Sequence, residues 1–351
     1  MSERVGAVDA LRALALLPVL VVNVGGYLAL PSGGPLANQV PADSASAFWS
    51  TVLVAGLLQG KGIALLHLLF GYSLTLSHQG RARLRKLLGL GLGHGFFLYC
   101  GDILSTYAFA GLLALRRPRE PVSRLWRRAQ RWLVGAFLWM AFLALLMGTS
   151  GPDSTEASLA LADESSALAW LGANARAYGV ILALTVVYLP LSYGLVLAGR
   201  AAGRLRLLHH RRWRPLWQRA ARTAPLFLLL SLGYGLGYAV LQGQGLELGW
   251  MTLGLLLGPL SMLGFVPWLL LRPLPQCLVW AGRNTLSPYI GGSLVAVLVY
   301  VGLGWRPDTW LGYAFGVGLW VVSMAWASSA GQRGKRLPLE AWMARGRKAP
   351  V

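Results

Sequence analysis

Long apolar runs alternate with short charged ones along this chain, and the charged stretches are sorted by sign. The apolar runs cover approximately 10–30, 50–77, 86–101, 103–115, 131–149, 171–198, 223–241, 249–271, 285–304 and 309–328. About 20 apolar residues coiled as a helix cross the roughly 30 Å hydrocarbon layer of a bilayer. Inside that layer the backbone finds hydrogen-bond partners only within a helix or a closed barrel, and the strict alternation of a barrel is missing. The expectation is an all-α, polytopic integral membrane bundle of about ten transmembrane helices. Composition agrees: 56% of residues are hydrophobic and 13% charged, whereas soluble domains carry about 25% charged residues.

With Met1 in the cytoplasm, the basic clusters at 81–86, 116–131, 200–222 and 333–348 all fall inside. Asp43, Asp153, Glu156, Asp163, Glu164, Glu247 and Asp308 fall outside, with Arg306 the one clear basic exception. The bias predicts that both termini are cytoplasmic, and one miscounted run in the middle would destroy it. The chain reads as a single membrane domain, 1–351, with a motif-bearing half at 1–149. An outer loop at 150–170, a second half at 171–328 and a basic tail at 329–351 follow. The net charge of +20 comes in bursts between apolar runs. Membrane orientation accounts for it, so membrane lipid is an expected partner and nucleic acid is not. The first run begins with Asp9 and Arg12 and is followed by no Ala-x-Ala site, which makes it a permanent span rather than a cleaved signal. Residues 199–222, with His209, His210 and Trp213, read as an interfacial amphipathic stretch. Cys100 and Cys277 fall at opposite faces, so neither a disulfide nor a metal site is expected.

Chemistry concentrates in residues 86–115, which read as a helical hairpin turning at Gly101 and Asp102. At 1.5 Å per residue His94 lies roughly 12 Å from Lys86 and roughly 12 Å from Asp102, at mid-membrane depth. A histidine there is either a helix-packing residue or a functional one. Gly91, Gly93 and Gly95 leave room for a substrate or a partner helix. On a straight helix Asp102 is too far away to orient His94 directly. Both arms are short, which predicts a turn recessed below the outer surface, in a water-filled funnel or against Lys61. Pairing of Lys61 with Asp102 would remove the cost of two desolvated charges. Asn23 and His67 are further polar residues inside apolar runs, and for His67 packing is the stronger reading. Asp9 and Arg12 are expected to pair at i,i+3. Arg283 and Asn284, with Pro288 and Tyr289 following, form a second candidate site able to grip a phosphate or carbonyl. Pro190, Pro259 and Pro267 are candidate helix breaks.

Four segments carry a family resemblance: DALRALALLPVLVVNV at 9–24, GKGIALLHLLFG at 60–71, GLGHGFFLYCGDILSTYAFAGLL at 91–113 and AGRNTLSPYI at 281–290. Together they resemble the YeiB-like family of bacterial inner-membrane proteins. That family is similar to the transmembrane acyltransferases, which include the acyltransferase-three group and heparan-alpha-glucosaminide N-acetyltransferase. The resemblance implies a bacterial cytoplasmic-membrane protein that moves an acyl group from cytoplasmic acyl-CoA, in the first instance acetyl-CoA, to a hydroxyl or amine of an outer-side acceptor. Under it Asp9, Arg12 and Asn23 match the first-span pattern, with Ala13 in place of the usual Gly. Lys61 keeps the Gly-Lys pair and His67 stands where a Ser is expected. His94, Gly101 and Asp102 keep the central block, and Arg283 and Asn284 keep the late block in part, since SPY replaces a Thr-Asn-Tyr-like run. His94 would then be general base or transient acyl carrier, with Arg12, Arg283 and the inner arginines toward the CoA phosphates and no metal. A transporter or flippase and a non-catalytic scaffold are the alternatives, and the assembly state stays open, a homodimer included.

Overall fold

The computed structural model describes residues 6–29, 44–76, 80–148, 167–241 and 247–345. Every regular element among them is helical. Helix α1 spans Gly6–Ala29, α2 Ala45–Leu57, α3 Lys61–Leu76, α4 Arg81–Phe97, α5 Leu104–Ala114, α6 Val122–Gly148 and α7 Ala167–Arg204. The short α8 (Arg214–Ala221) leads into α9 (Ala224–Leu241) and α10 (Glu247–Leu270). Next come α11 (Gln276–Ala281) and α12 (Leu286–Val297), which continues as a π-helical turn over Leu298–Gly302. The last elements are α13 (Thr309–Gln332) and α14 (Pro338–Ala344).

Among the described residues, seven helical stretches are long and apolar enough to cross a membrane, with α2 and α3 forming one of them. The chain is thus an all-α, polytopic membrane bundle. The remaining apolar runs of the sequence form α4, α5 and α12, of 17, 11 and 12 residues. Large apolar side chains such as Leu138, Leu145, Val186, Leu229 and Val322 point outward, the pattern of a bundle solvated by lipid. Asp43, Asp153, Glu156, Asp163 and Glu164 lie outside the described residues, as do Met1 and the tail beyond Arg345.

The centre is built from α1, α3 and α7, with α6 and α10 packed along one side and α11 and α13 along the other. Small residues set the approach of α3 to α7: a side chain on Gly71 would strike the Val196 carbonyl, and one on Gly199 the Leu68 carbonyl. Lipid tails are as apolar as leucine, so such helices associate through close van der Waals packing, which small residues permit. The structure overturns the proline breaks. Pro190 lies inside continuous α7, and Pro259 and Pro267 lie inside continuous α10. The run at 50–77 breaks instead between α2 and α3, where Gly60 adopts φ +72° and sits against the backbone of Gly254. That conformation costs little without a Cβ.

Candidate functional site

The site begins where α4 stops. Beyond Phe97 the chain leaves the helix, with the amides of Leu98 and Tyr99 both donating to the His94 carbonyl at 2.9 Å. Residues 98–103 turn the chain back toward α4. Gly91, one turn below His94, leaves the space this needs, because a Cβ there would stand 2.8 Å from Asp102 Oδ2 and 2.9 Å from Leu104. Asp102 Oδ2 accepts the Ser105 amide at 2.8 Å, capping the first turn of α5. Its Oδ1 lies 2.9 Å from His94 Nδ1. Asp102 therefore orients His94 directly. The straight-helix separation was wrong because the helix ends before Asp102 and the turn folds back.

The other ring nitrogen reaches a distant segment. His94 Nε2 lies 2.9 Å from Ser293 Oγ on α12. One turn earlier on α12, the Tyr289 ring sits 4.8 Å from the imidazole, and its hydroxyl donates to Asp102 Oδ1 at 3.4 Å. The side chains of His94 and Asp102 are fully buried. An ionised carboxylate only accepts, so Nδ1 carries a proton, and a neutral imidazole then turns the Nε2 lone pair toward Ser293. The result is an ordered Asp102–His94–Ser293 relay.

Helix α7 grips the hairpin at both ends. Asn174, fully buried, accepts the Cys100 amide at 2.8 Å and donates to the carbonyls of Gly95 (3.0 Å) and Phe96 (2.8 Å) at the end of α4. Far along the same helix Arg200 donates to the Ala114 carbonyl at 2.5 Å, closing the C-terminus of α5. Tyr178 lies against Gly95 and donates to Ser105 Oγ at 3.3 Å. Among the described residues Tyr99 and Cys100 are buried beside Tyr27, Trp170 and Tyr300, and Asp102 is buried against His94 and Tyr289. The space reserved for a substrate beside Gly91 and Gly95 is thus filled by the protein's own turn and by Tyr178. Of the three glycines beside His94, Gly93 alone has open space at its Cβ position among the described residues.

The other sequence candidates lie elsewhere. Lys61 is not paired with Asp102; its Nζ donates to the Gly56 carbonyl at 2.6 Å and closes the end of α2. Depth along the bilayer placed those two residues together, but Lys61 is satisfied by α2, and Asp102 by α4, α5 and α12. His67 bonds the Ile63 carbonyl of its own helix at 2.7 Å, and its Nε2 has no partner among the described residues. Arg12 pairs with Asp9 at 3.1 Å, as expected, and also donates to Ser73. Asn23 keeps Nδ2 buried without a partner among the described residues. Asn284 does not present a free gripping group. Its amide donates to the carbonyls of Ala327 (3.5 Å) and Lys335 (3.3 Å), and its oxygen accepts the Leu337 amide at 3.1 Å, tying the start of α12 to the end of α13. Arg283 stands beside it in a cavity of 240 Å³ lined also by Lys335 and Arg336, and its Nε has no partner among the described residues. Tyr289 alone of the late block joins His94.

Ser293 and Asn174 were not singled out in the sequence. A serine within an apolar helix reads as a back-bonding residue, whereas an asparagine inside an apolar run is a usable signal.

Fold and relay together define a polytopic helical membrane protein with a buried Ser–His–Asp arrangement. The chain is similar to YxaH of Bacillus subtilis (strain 168), at 24% identity over 91% of this chain and 84% of that protein. It is also similar to YeiB of Escherichia coli (strain K12), at 26% identity over 86% of this chain and 85% of that protein. Both relatives are described as uncharacterized proteins. No family model and no solved structure matches the chain.

Proposed function

We propose that this protein is a transmembrane acyltransferase of the bacterial cytoplasmic membrane, moving an acyl group from cytoplasmic acyl-CoA to a hydroxyl or amine of an outer-side acceptor. The observation that carries the reading is His94, buried between α4 and α12 and held at both ring nitrogens by Asp102 and Ser293. A neutral imidazole fixed by a carboxylate is a general base whose lone pair is aimed. Arg283, Lys335 and Arg336 around their small cavity suit the phosphates of the donor. Ser293 stands seven residues beyond the start of α12 at Leu286, about 10 Å of helix rise, and Arg283 lies before that start. The reading carries ten membrane crossings with both termini in the cytoplasm, which the segregation of basic and acidic stretches supports.

Release of CoA thiol from acetyl-CoA by the purified protein, in the presence of membrane or glycan extract, tests the chemistry. Wild type is expected to release it, while His94→Ala keeps its melting temperature and oligomeric state but does not. Equal rates in the two proteins would overturn the role of His94. The break at Gly60 favours a second reading, transport, since discontinuous helices line transporter sites. Solute movement into vesicles by a wild type that neither binds nor consumes acyl-CoA would establish it. For the topology, cysteines placed at Ser158 and Ala330 are expected to differ: only the first reacts with an impermeant reagent from outside.

A further inference from the structure

Resting on that acyl-transfer reading, we propose that Ser293 carries the acyl group between donor and acceptor, so that transfer runs through a serine ester rather than by direct attack of the acceptor on acyl-CoA. The order of the relay supports it. Asp102 Oδ1 stands 2.9 Å from His94 Nδ1, and His94 Nε2 stands 2.9 Å from Ser293 Oγ. A serine hydroxyl is a weak nucleophile until an adjacent base takes its proton, and a base does so reliably when a third group holds its tautomer. All three parts are present here, supplied by α4, by the turn after it and by α12.

Ser293 also differs from the ordinary buried serines of the bundle. Ser261 lies 2.5 Å from the carbonyl four residues earlier, the back-bond that satisfies a serine inside an apolar helix. Ser293 has the same carbonyl in reach, from Tyr289, but at 3.4 Å. Its shorter partner is the imidazole of another element. The hydroxyl is thus directed at a base rather than folded back on its own helix. The Ser293 carbonyl is held in turn by the Tyr27 hydroxyl at 3.3 Å, which fixes this turn of α12.

The chemistry balances without any further reactant. Ser293 Oγ attacks the thioester carbonyl of acyl-CoA as His94 Nε2 takes the hydroxyl proton. The C–S bond breaks, and the sulfur leaves with the proton returned by Nε2, giving free CoA thiol and an ester on Ser293. The acceptor hydroxyl or amine then gives its proton to Nε2 and attacks the ester carbonyl. The C–Oγ bond breaks and Oγ recovers the proton. Asp102 stays ionised throughout and balances the imidazolium in both halves.

The full chain in nanodiscs, given isotope-labelled acetyl-CoA without acceptor, separates this route from direct transfer. Wild type is expected to release about one CoA thiol per chain in a burst and to hold the label on the peptide containing Ser293. Ser293→Ala is expected to keep the wild-type melting temperature, take no label and lose transfer by roughly 10³-fold. Ser293→Cys is expected to take the label as a hydroxylamine-labile thioester. Transfer by Ser293→Ala at the wild-type rate, with His94→Ala inactive, overturns the covalent route and leaves His94 as base for direct attack. Label found on His94 in both wild type and Ser293→Ala overturns it as well. A wild type that neither binds acetyl-CoA nor releases thiol with acceptor extract present brings down the acyl-transfer reading itself, and this inference with it.

Discussion

His94 and His67 are equally buried in one bundle, at 3% and 2% exposure, yet they are held in different ways. His67 bonds the Ile63 carbonyl of its own helix and faces the edge of Tyr107 with ring centroids 5.8 Å apart. Its second nitrogen has no partner among the described residues. That arrangement exists as soon as α3 is helical. The partners of His94 exist only after α4 has ended, its turn has folded back and α12 has docked. A local hydrogen bond satisfies a polar group, whereas two bonds from remote segments fix its tautomer and aim its lone pair. Burial does not distinguish the two histidines; the sequence distance of their partners does.

The largest expected effect tests the His94 side of this contrast. His94→Ala should reduce CoA-thiol release by about 10³-fold, with a melting temperature near wild type. Asp102→Asn should follow with a drop of roughly 10²-fold or more, because an amide no longer holds the proton on Nδ1.

How much of this could be read from the chain follows the same division. The helical bundle was legible because apolar runs separated by charge report membrane crossings directly. His94 and Asp102 stood out as polar groups in apolar surroundings and Tyr289 as part of the late candidate site, and the structure brings the three together. The link between His94 and Asp102 was not legible, because it depends on a helix that ends at Phe97. Lys61 was assigned to Asp102 from depth, and depth says nothing about which way a side chain points around its helix. Ser293 was missed because its partner comes from a remote segment that no local pattern announces, whereas Asn174, an amide inside an apolar run, carried a signal that went unused.

The turn itself offers the next test, with two glycines one helical turn-half apart. Gly91→Ala would set its Cβ against Asp102 and Leu104, pushing the turn away from His94 at a cost of about 2 kcal/mol. Gly93→Ala meets nothing within 4 Å and should be silent. Thermal unfolding in one detergent, alongside thiol release, checks both. Asn174→Ala should cost a similar amount, about 2 kcal/mol, since it strands one amide and two carbonyls at the end of α4. Activity should fall with it, as the same bonds hold the segment that returns Asp102. If Gly91→Ala keeps full stability and activity, close approach of the turn is not what organises the relay.

The smallest effect is expected at His67, and it is the one that most directly challenges the comparison. His67→Leu removes a ring nitrogen that is buried without a partner among the described residues, together with one bond to a carbonyl of its own helix. Losing the first favours the folded state and losing the second opposes it, so stability should change by less than about 1 kcal/mol. Leucine also fills most of the imidazole volume, which limits any cavity. Nothing in the relay touches His67, so thiol release should stay within about 3-fold of wild type, under about 0.7 kcal/mol of barrier. The measurement is the initial rate at saturating acetyl-CoA, beside a melting curve on the same preparation. If His67→Leu instead falls as far as His94→Ala while remaining folded, partners from distant segments do not mark the working histidine. The chemistry would then have to be sought along α3, where the His67 ring packs edge-to-face with Tyr107.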